Sequence, residues 1–207
     1  VLGLFYSRAR DDFPLRRQVG GGADGARARQ EQPRGNLVHG TPMRFLPEDQ
    51  RASVQLDPDS LALSHFPPYP GWGRYKALFL LALDHYRHAV APEGITRASL
   101  RYVNRISIES REVTLEDYLL AAPHVPEALR QTMAPFSMEV HIPYSELGAA
   151  MRVCAAAPPS GETTVAFELD LSITGDERAQ VSFASLEAWL DRAHAANALD
   201  AAAGQGL

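Results

Sequence analysis

The sequence predicts an α+β fold: an antiparallel sheet with helices packed on one of its faces. Three observations carry this expectation. Short segments alternate apolar and polar residues between Pro-, Asp-, Ser- and Gly-containing turns, as half-buried strands do. Two stretches, about 71–90 and the one opening at Ser182, instead repeat apolar residues every three or four positions, the period of a helix with one buried stripe. The order of these segments is strands, a helix, more strands and a closing helix, which places helices on one side of an antiparallel sheet. That order also permits two ferredoxin-like halves sharing one sheet.

Taken in chain order, Val1–Phe5 reads as a short strand, and the polar stretch Arg8–Arg17 ends at Phe13-Pro14. Residues 19–36, rich in Gly, Ala, Arg and Gln, have no apolar period and read as a mobile loop. Its Gly20-Gly21-Gly22 run lacks the lysine-serine pair and the strand–helix setting of a phosphate loop. Thr41–Leu46, Ala52–Leu56 and Leu61–Phe66 read as hairpin strands joined by the turn sequences Pro47–Gln50 and Asp57–Ser60. Pro67-Pro68-Tyr69-Pro70 forces an extended corner. From Gly71 to Val90, Trp72, Tyr75, Phe79, Leu83, Tyr86 and Val90 form one helical stripe.

Ile95–Ile108 alternates with Ala98, Leu100, Tyr102, Asn104, Ile106 and Ile108 on one face and Arg97, Ser99, Arg101, Val103, Arg105 and Ser107 on the other. Thr114–Asp117 opens a short helix to Ala121, and Pro126 starts a further turn. Phe136–Tyr144 places Met138, Val140, Ile142 and Tyr144 inward; Ala149–Ala155 and Thr163–Ile173 are further strands. Ser182 caps a helix with the stripe Phe183, Leu186, Trp189, Leu190 and Ala193, and the tail from Asn197 is expected to fray.

A chain of 207 residues suits one domain with a single core, or at most two small ones; the expectation is one α+β domain over 1–207. With 45% hydrophobic and 22% charged residues the composition is globular rather than disordered. A net charge of −5 argues against a generic nucleic-acid or anionic-membrane binder, while leaving room for a local basic patch. Cys154 is the only cysteine, so no internal disulfide forms, which favours a reducing, cytoplasmic setting; its apolar run predicts a buried structural thiol. Val1–Phe5 is too short for a signal peptide and Ala77–Leu83 too short for a membrane span. The natural start is expected to precede Val1.

Pro68-Tyr69-Pro70-Gly71-Trp72, and above all Pro92-Glu93-Gly94-Ile95-x-Arg97-x-x-Leu100-Arg101-Tyr102-Val103-Asn104-Arg105-Ile106, resemble a sporadically distributed family of uncharacterised bacterial and archaeal proteins. Val113–Tyr118 and Leu169-Asp170-Leu171 extend the similarity over most of the chain after Thr41. The family's first strand is longer and its closing helix runs on further, so both ends depart from its pattern. The resemblance implies a fold but no agreed activity, cofactor or catalytic residue. A patchy distribution is what accessory systems such as toxin–antitoxin or phage-defence modules show.

Arg97, Arg101 and Arg105 share one strand face at four-residue steps, about 13 Å apart at roughly 3.3 Å per residue, too far to grip one phosphate together. They suit an extended anionic partner, or cross-strand pairing with Glu139, His141, Glu168 and Asp170. Asn104, among apolar neighbours, must find a hydrogen-bond partner; fixing a bulge or loop is the structural role and a ligand contact the alternative. His85 and His88 read as surface histidines, Asp170 with Asp176 and Glu177 as an ordinary strand end, and Trp72, Tyr69 and Tyr75 as anchors of helix to sheet. No metal, cofactor or catalytic constellation is expected. The leading expectation is a non-catalytic binding or regulatory module working through a protein partner. Its binding residues would be Arg97, Arg101, Arg105, Asn104 and His141. A rival is a nucleic-acid-binding or -processing protein using the arginine face, with His141, Glu139 or Asp170 as acid–base groups. A third is a homo-oligomer built on an exposed sheet edge or the Trp189 helix.

Overall fold

The computed structural model describes residues 2–18, 43–57, 59–108, 136–157, 165–175 and 181–203, with the backbone alone at 105–108, 136, 155–157, 165–171 and 197–203. Its described elements are α-helices and two four-stranded antiparallel sheets, an α+β architecture. The strands thus lie in two separate sheets, in place of the single shared one. The chain divides into two compact units, Val1–Glu93 and Gly94–Leu207.

In the first unit the order is α1 (Leu2–Ala9), β1 (Leu15–Gln18), β2 (Met43–Leu46), β3 (Ala52–Asp57), β4 (Ser60–His65) and α2 (Trp72–Val90), with the sheet a meander β1-β2-β3-β4. The strand expected at Val1–Phe5 is the helix α1. Phe5 and Ala9, four apart, are fully buried, whereas Leu4 is exposed, so burial follows the helical and not the alternating period. The strand β1 had no alternation to announce it: Arg16, Arg17 and Gln18 are all polar and exposed, and its register with β2 (Leu15 opposite Leu46) defines it. The loop expected at 19–36 lies outside the described residues.

The hairpins follow their turn sequences. Between β2 and β3 the Gln50 amide donates to the Pro47 carbonyl at 3.0 Å, and Asp49 Oδ1 accepts from the Arg51 amide at 3.0 Å. Val54 stands opposite both Phe45 and Leu63, and Leu56 opposite both Met43 and Leu61. These residues form the sheet side of a core that α1 and α2 cover with Phe5, Ala9, Ala82 and Tyr86. The rings of Phe5 and Phe45 are 5.0 Å apart. Gly71 opens α2 at φ 88°, a conformation that favours glycine, and Ala91 closes it at φ 50° with its amide donating to the Arg87 carbonyl.

The second unit runs β5 (Ala98–Ile108), β6 (Phe136–Tyr144), a 3₁₀ turn (Ser145–Leu147), β7 (Ala149–Ala157), β8 (Val165–Gly175) and α3 (Leu186–Ala203). Its sheet order is β5-β8-β7-β6, all antiparallel. The helix expected at 114–121, the turn at Pro126, and Asp176 and Glu177 lie outside the described residues. Ahead of α3, Ser182 and Ser185 exchange hydrogen bonds reciprocally: the Ser185 amide donates to Ser182 Oγ at 3.1 Å and the Ser182 amide to Ser185 Oγ at 2.8 Å. The helix continues past Asn197 to Ala203, where fraying was expected; alanine, the best helix former, dominates this stretch.

Helix α3 packs on the face of Leu100, Ile173 and Met151, burying Leu186, Trp189, Leu190 and Ala193. One row crosses the whole sheet: Leu100–Ile173–Met151–Ile142. Along it exposure is 3%, 0% and 0%, then 37% at Ile142. Val140 is likewise exposed, so β6 does not turn its apolar residues into a core as expected. A helix about 10–12 Å wide spans only two to three strands spaced ~4.8 Å apart, and β6 lies beyond its reach.

Candidate functional site

Opposite α3 the second sheet presents an open polar face. The register aligns Arg101, Ser172, Arg152 and His141 in one row, and Val103, Asp170, Cys154 and Glu139 in the next. Four strands at ~4.8 Å separate Arg101 from His141 by about 14 Å of sheet. The row is a strip across the face rather than a pocket.

Of the expected binding residues, Arg101 and His141 therefore share a row, but the five do not converge. Arg97 is exposed just before β5 begins at Ala98. Arg105 lies at the register position opposite Glu168. Asn104 shares its parity with Leu100 and Tyr102, on the helix side, yet is exposed. The expected burial penalty therefore does not arise; its neighbour Tyr102 is held to α3 by a 2.7 Å hydrogen bond between its hydroxyl and His194 Nδ1. Burial pushes the His194 pKa below its ordinary value, so the neutral ring can accept the tyrosine proton donor.

Arg152 is the functional candidate missing from the sequence expectations. Its Nη2 donates to Glu139 Oε2 at 3.0 Å, and His141 Nε2 donates to Glu139 Oε1 at 2.7 Å. The hydrogen bond from Arg152, then that from His141, pulls the Glu139 pKa from 4.5 to about 2. Both carboxylate oxygens are thus engaged and the group is anionic at neutral pH. A general base works best with a pKa near the operating pH, so this environment tunes Glu139 away from acid–base work. The signal for Arg152 was present in Ala149–Ala155: Met151 and Val153 alternate with Arg152 and Cys154. Cys154 is half-exposed in the strip, not the buried thiol expected from its apolar run.

Among the described residues no group of three or more His, Cys, Asp and Glu could hold a metal. His85 and His88 serve separate partners. His85 Nε2 meets Asp12 Oδ2 at 2.9 Å, with only 13% of the side chain exposed, so it is a core-edge contact rather than a surface residue. His88 Nδ1 donates to the Asp84 carbonyl at 2.8 Å. Tyr75 anchors helix to sheet as expected: its hydroxyl donates to the Leu63 carbonyl at 3.0 Å, and Trp72 stacks on it with ring centroids 6.0 Å apart. The first unit also carries a groove of about 460 Å³ lined by Asp49, Arg51, His65, Tyr69 and Arg74. Two of its polar groups are used locally, Asp49 in the hairpin turn and His65 Nδ1 donating to the Phe66 carbonyl at 2.7 Å.

Among the described residues no helix is long and apolar enough to cross a membrane. In comparisons with known proteins, no family model, no curated protein and no solved structure matches the chain.

Proposed function

We propose that this chain is a non-catalytic binding module that engages a protein partner over the open face of the β5-β8-β7-β6 sheet, as a component of an accessory system of the toxin–antitoxin or phage-defence kind. The observation that carries the reading is the Glu139–Arg152–His141 cluster in line with Arg101. It sets charges of both signs on paired strands, where backbone pairing fixes their spacing. Such a pattern selects a partner by electrostatic complementarity. A polyanion fits it less well, since the Glu139 carboxylate stands in the strip and the chain carries a net charge of −5. The accessory-system part rests on the family resemblance at Leu100–Ile106.

The test is affinity capture of the tagged chain from its native host, as wild type and as Arg101→Glu. A partner recovered at stoichiometric level with wild type and lost with the variant is expected. Recovery of none, or equal recovery with both, would overturn the reading. Binding of single-stranded RNA or duplex DNA that weakens steeply between about 50 and 200 mM salt would replace it with the nucleic-acid alternative.

A further inference from the structure

β6 is an edge strand whose sequence complements itself. Among the described residues it pairs with β7 alone. It also carries two of the exposed large hydrophobics of the second unit, Val140 at 41% and Ile142 at 37%. The free side of an edge strand offers unpaired N–H and C=O groups to another strand. Natural edges carry guards against this, and in β6 Glu139, His141 and Pro143 are such residues. Guards of this kind oppose an arbitrary strand. Toward an antiparallel copy of β6 they act differently.

Val140 is the middle residue of Phe136–Tyr144. Pairing two copies about a two-fold axis through Val140 overlaps the strand over its full length. Glu139 then stands opposite His141 of the second copy, Met138 opposite Ile142, Phe136 opposite Tyr144 and Ser137 opposite Pro143, each twice, with Val140 opposite itself. Opposite charges directly across a pair of strands attract and like charges repel. Moving the centre to Glu139 faces glutamate with glutamate, and moving it to His141 faces histidine with histidine. The register of greatest overlap is therefore also the one that matches the charges. On the helix side it continues the row Leu100–Ile173–Met151–Ile142 onto Met138 of the second copy, covering apolar surface that α3 leaves bare.

We propose that the chain forms a homodimer by antiparallel β6–β6 pairing centred on Val140, joining two four-stranded sheets into one of eight strands. The pairing uses the sheet edge and leaves Arg101 and Arg152 on the polar face of each copy uncovered, while Glu139 and His141 belong to both the edge and the proposed partner strip. A cross-link at position 140 reads the dimer alone and capture with Arg101→Glu reads the partner alone, so either can fail by itself.

Cysteine placed on the two-fold axis tests the register. In a Cys154→Ala background, Val140→Cys brings two Cα atoms to about 4.5–5.5 Å, inside the disulfide range of roughly 4.4–6.8 Å. Mild oxidation is expected to give a covalent dimer of twice 22.6 kDa. Ile142→Cys, paired with position 138, and Val103→Cys, on β5, are expected to form no covalent cross-link. Light scattering of the unmodified protein should give the dimer mass at micromolar concentration. His141→Glu and Glu139→Lys should each shift it toward the monomer mass, and an equimolar mixture of the two should restore the dimer, because one cross-strand pair is then glutamate with lysine and the other is the wild-type Glu139–His141 pair. A wild-type monomer throughout that range, no cross-link at 140, cross-linking at 103 as readily as at 140, or no recovery on mixing would each overturn the proposal. An edge that takes a strand from another protein would show as the monomer.

Discussion

Replacing Trp189 tests how α3 is held to the second sheet. Trp189 is 1% exposed, and its indole N–H donates to the Leu147 carbonyl at 3.3 Å. A buried tryptophan hides about 150–250 Å², worth roughly 4–6 kcal/mol at ~25 cal/mol/Å². Trp189→Ala is therefore expected to cost about 3–5 kcal/mol, the range measured for such truncations. Trp189→Phe keeps most of the packing and loses the hydrogen bond, for a cost of about 1–2 kcal/mol. Whole domains are stable by only about 5–15 kcal/mol, so the alanine variant should sit near the edge of folding. Urea unfolding followed by far-UV circular dichroism measures both: at an m-value of ~2 kcal/mol/M the midpoint falls by about 2 M for alanine and 0.5–1 M for phenylalanine. A shift below ~0.5 M for Trp189→Ala would refute the docking of α3 through this residue.

Other outcomes follow from local chemistry. Burial, with Tyr69 adding to it, raises the Tyr75 pKa from 10.0 to about 12, so its contribution is complete below pH 10 and lost as pH rises through 12. That amounts to about 3 kcal/mol at 1.36 kcal/mol per unit. Tyr75→Phe should flatten this alkaline loss in a pH series of thermal melts, at a cost of about 1 kcal/mol at neutral pH. Glu139 has its pKa lowered from 4.5 to about 2, so its contribution is present above 4.5 and disappears as pH falls toward 2; Glu139→Gln should remove that acid-dependent component. His194, lowered from 6.5 by burial, acts at a higher pH: stability is complete above 6.5 and declines on acidification, visible as loss of amide protection in α3. Ala91→Gly should stabilise the first unit by about 0.5–1 kcal/mol in urea melts, since φ at Ala91 is 50° and glycine adopts it without a Cβ penalty.

What was legible in the sequence is what a short-range pattern can encode. The two hairpins, α2, β6 and the Leu186–Ala193 stripe announce themselves through alternation, turn residues or helical spacing, and the structure places them within a few residues of those signals. α1 and β1 were misread or missed because each is short. Five residues of Val-Leu-Gly-Leu-Phe fit either period, and Leu15–Gln18 gains its identity only from the partner strand β2. At the candidate site the error was one of neighbourhood. Alternation gave the faces of β5 and β6 but not their order in the sheet, which sets β8 and β7 between them. Arg101 and His141 are thereby a sheet's width apart, and Arg152, one strand from His141, becomes the partner of Glu139. Likewise the pattern in Phe136–Tyr144 marks an apolar side without saying whether anything covers it; coverage depends on where α3 docks.

Proposed partner binding over the open face of the second sheet, around the Arg101–His141 row, is open to direct measurement. A photo-crosslinking amino acid at Val103, which is 45% exposed beside Arg101 on that face, probes it in the native host, with the exposed Ala62 of β4 as the control position. A covalent adduct with one protein from position 103 and none from position 62 is expected. Adducts from 62 and none from 103 would contradict it.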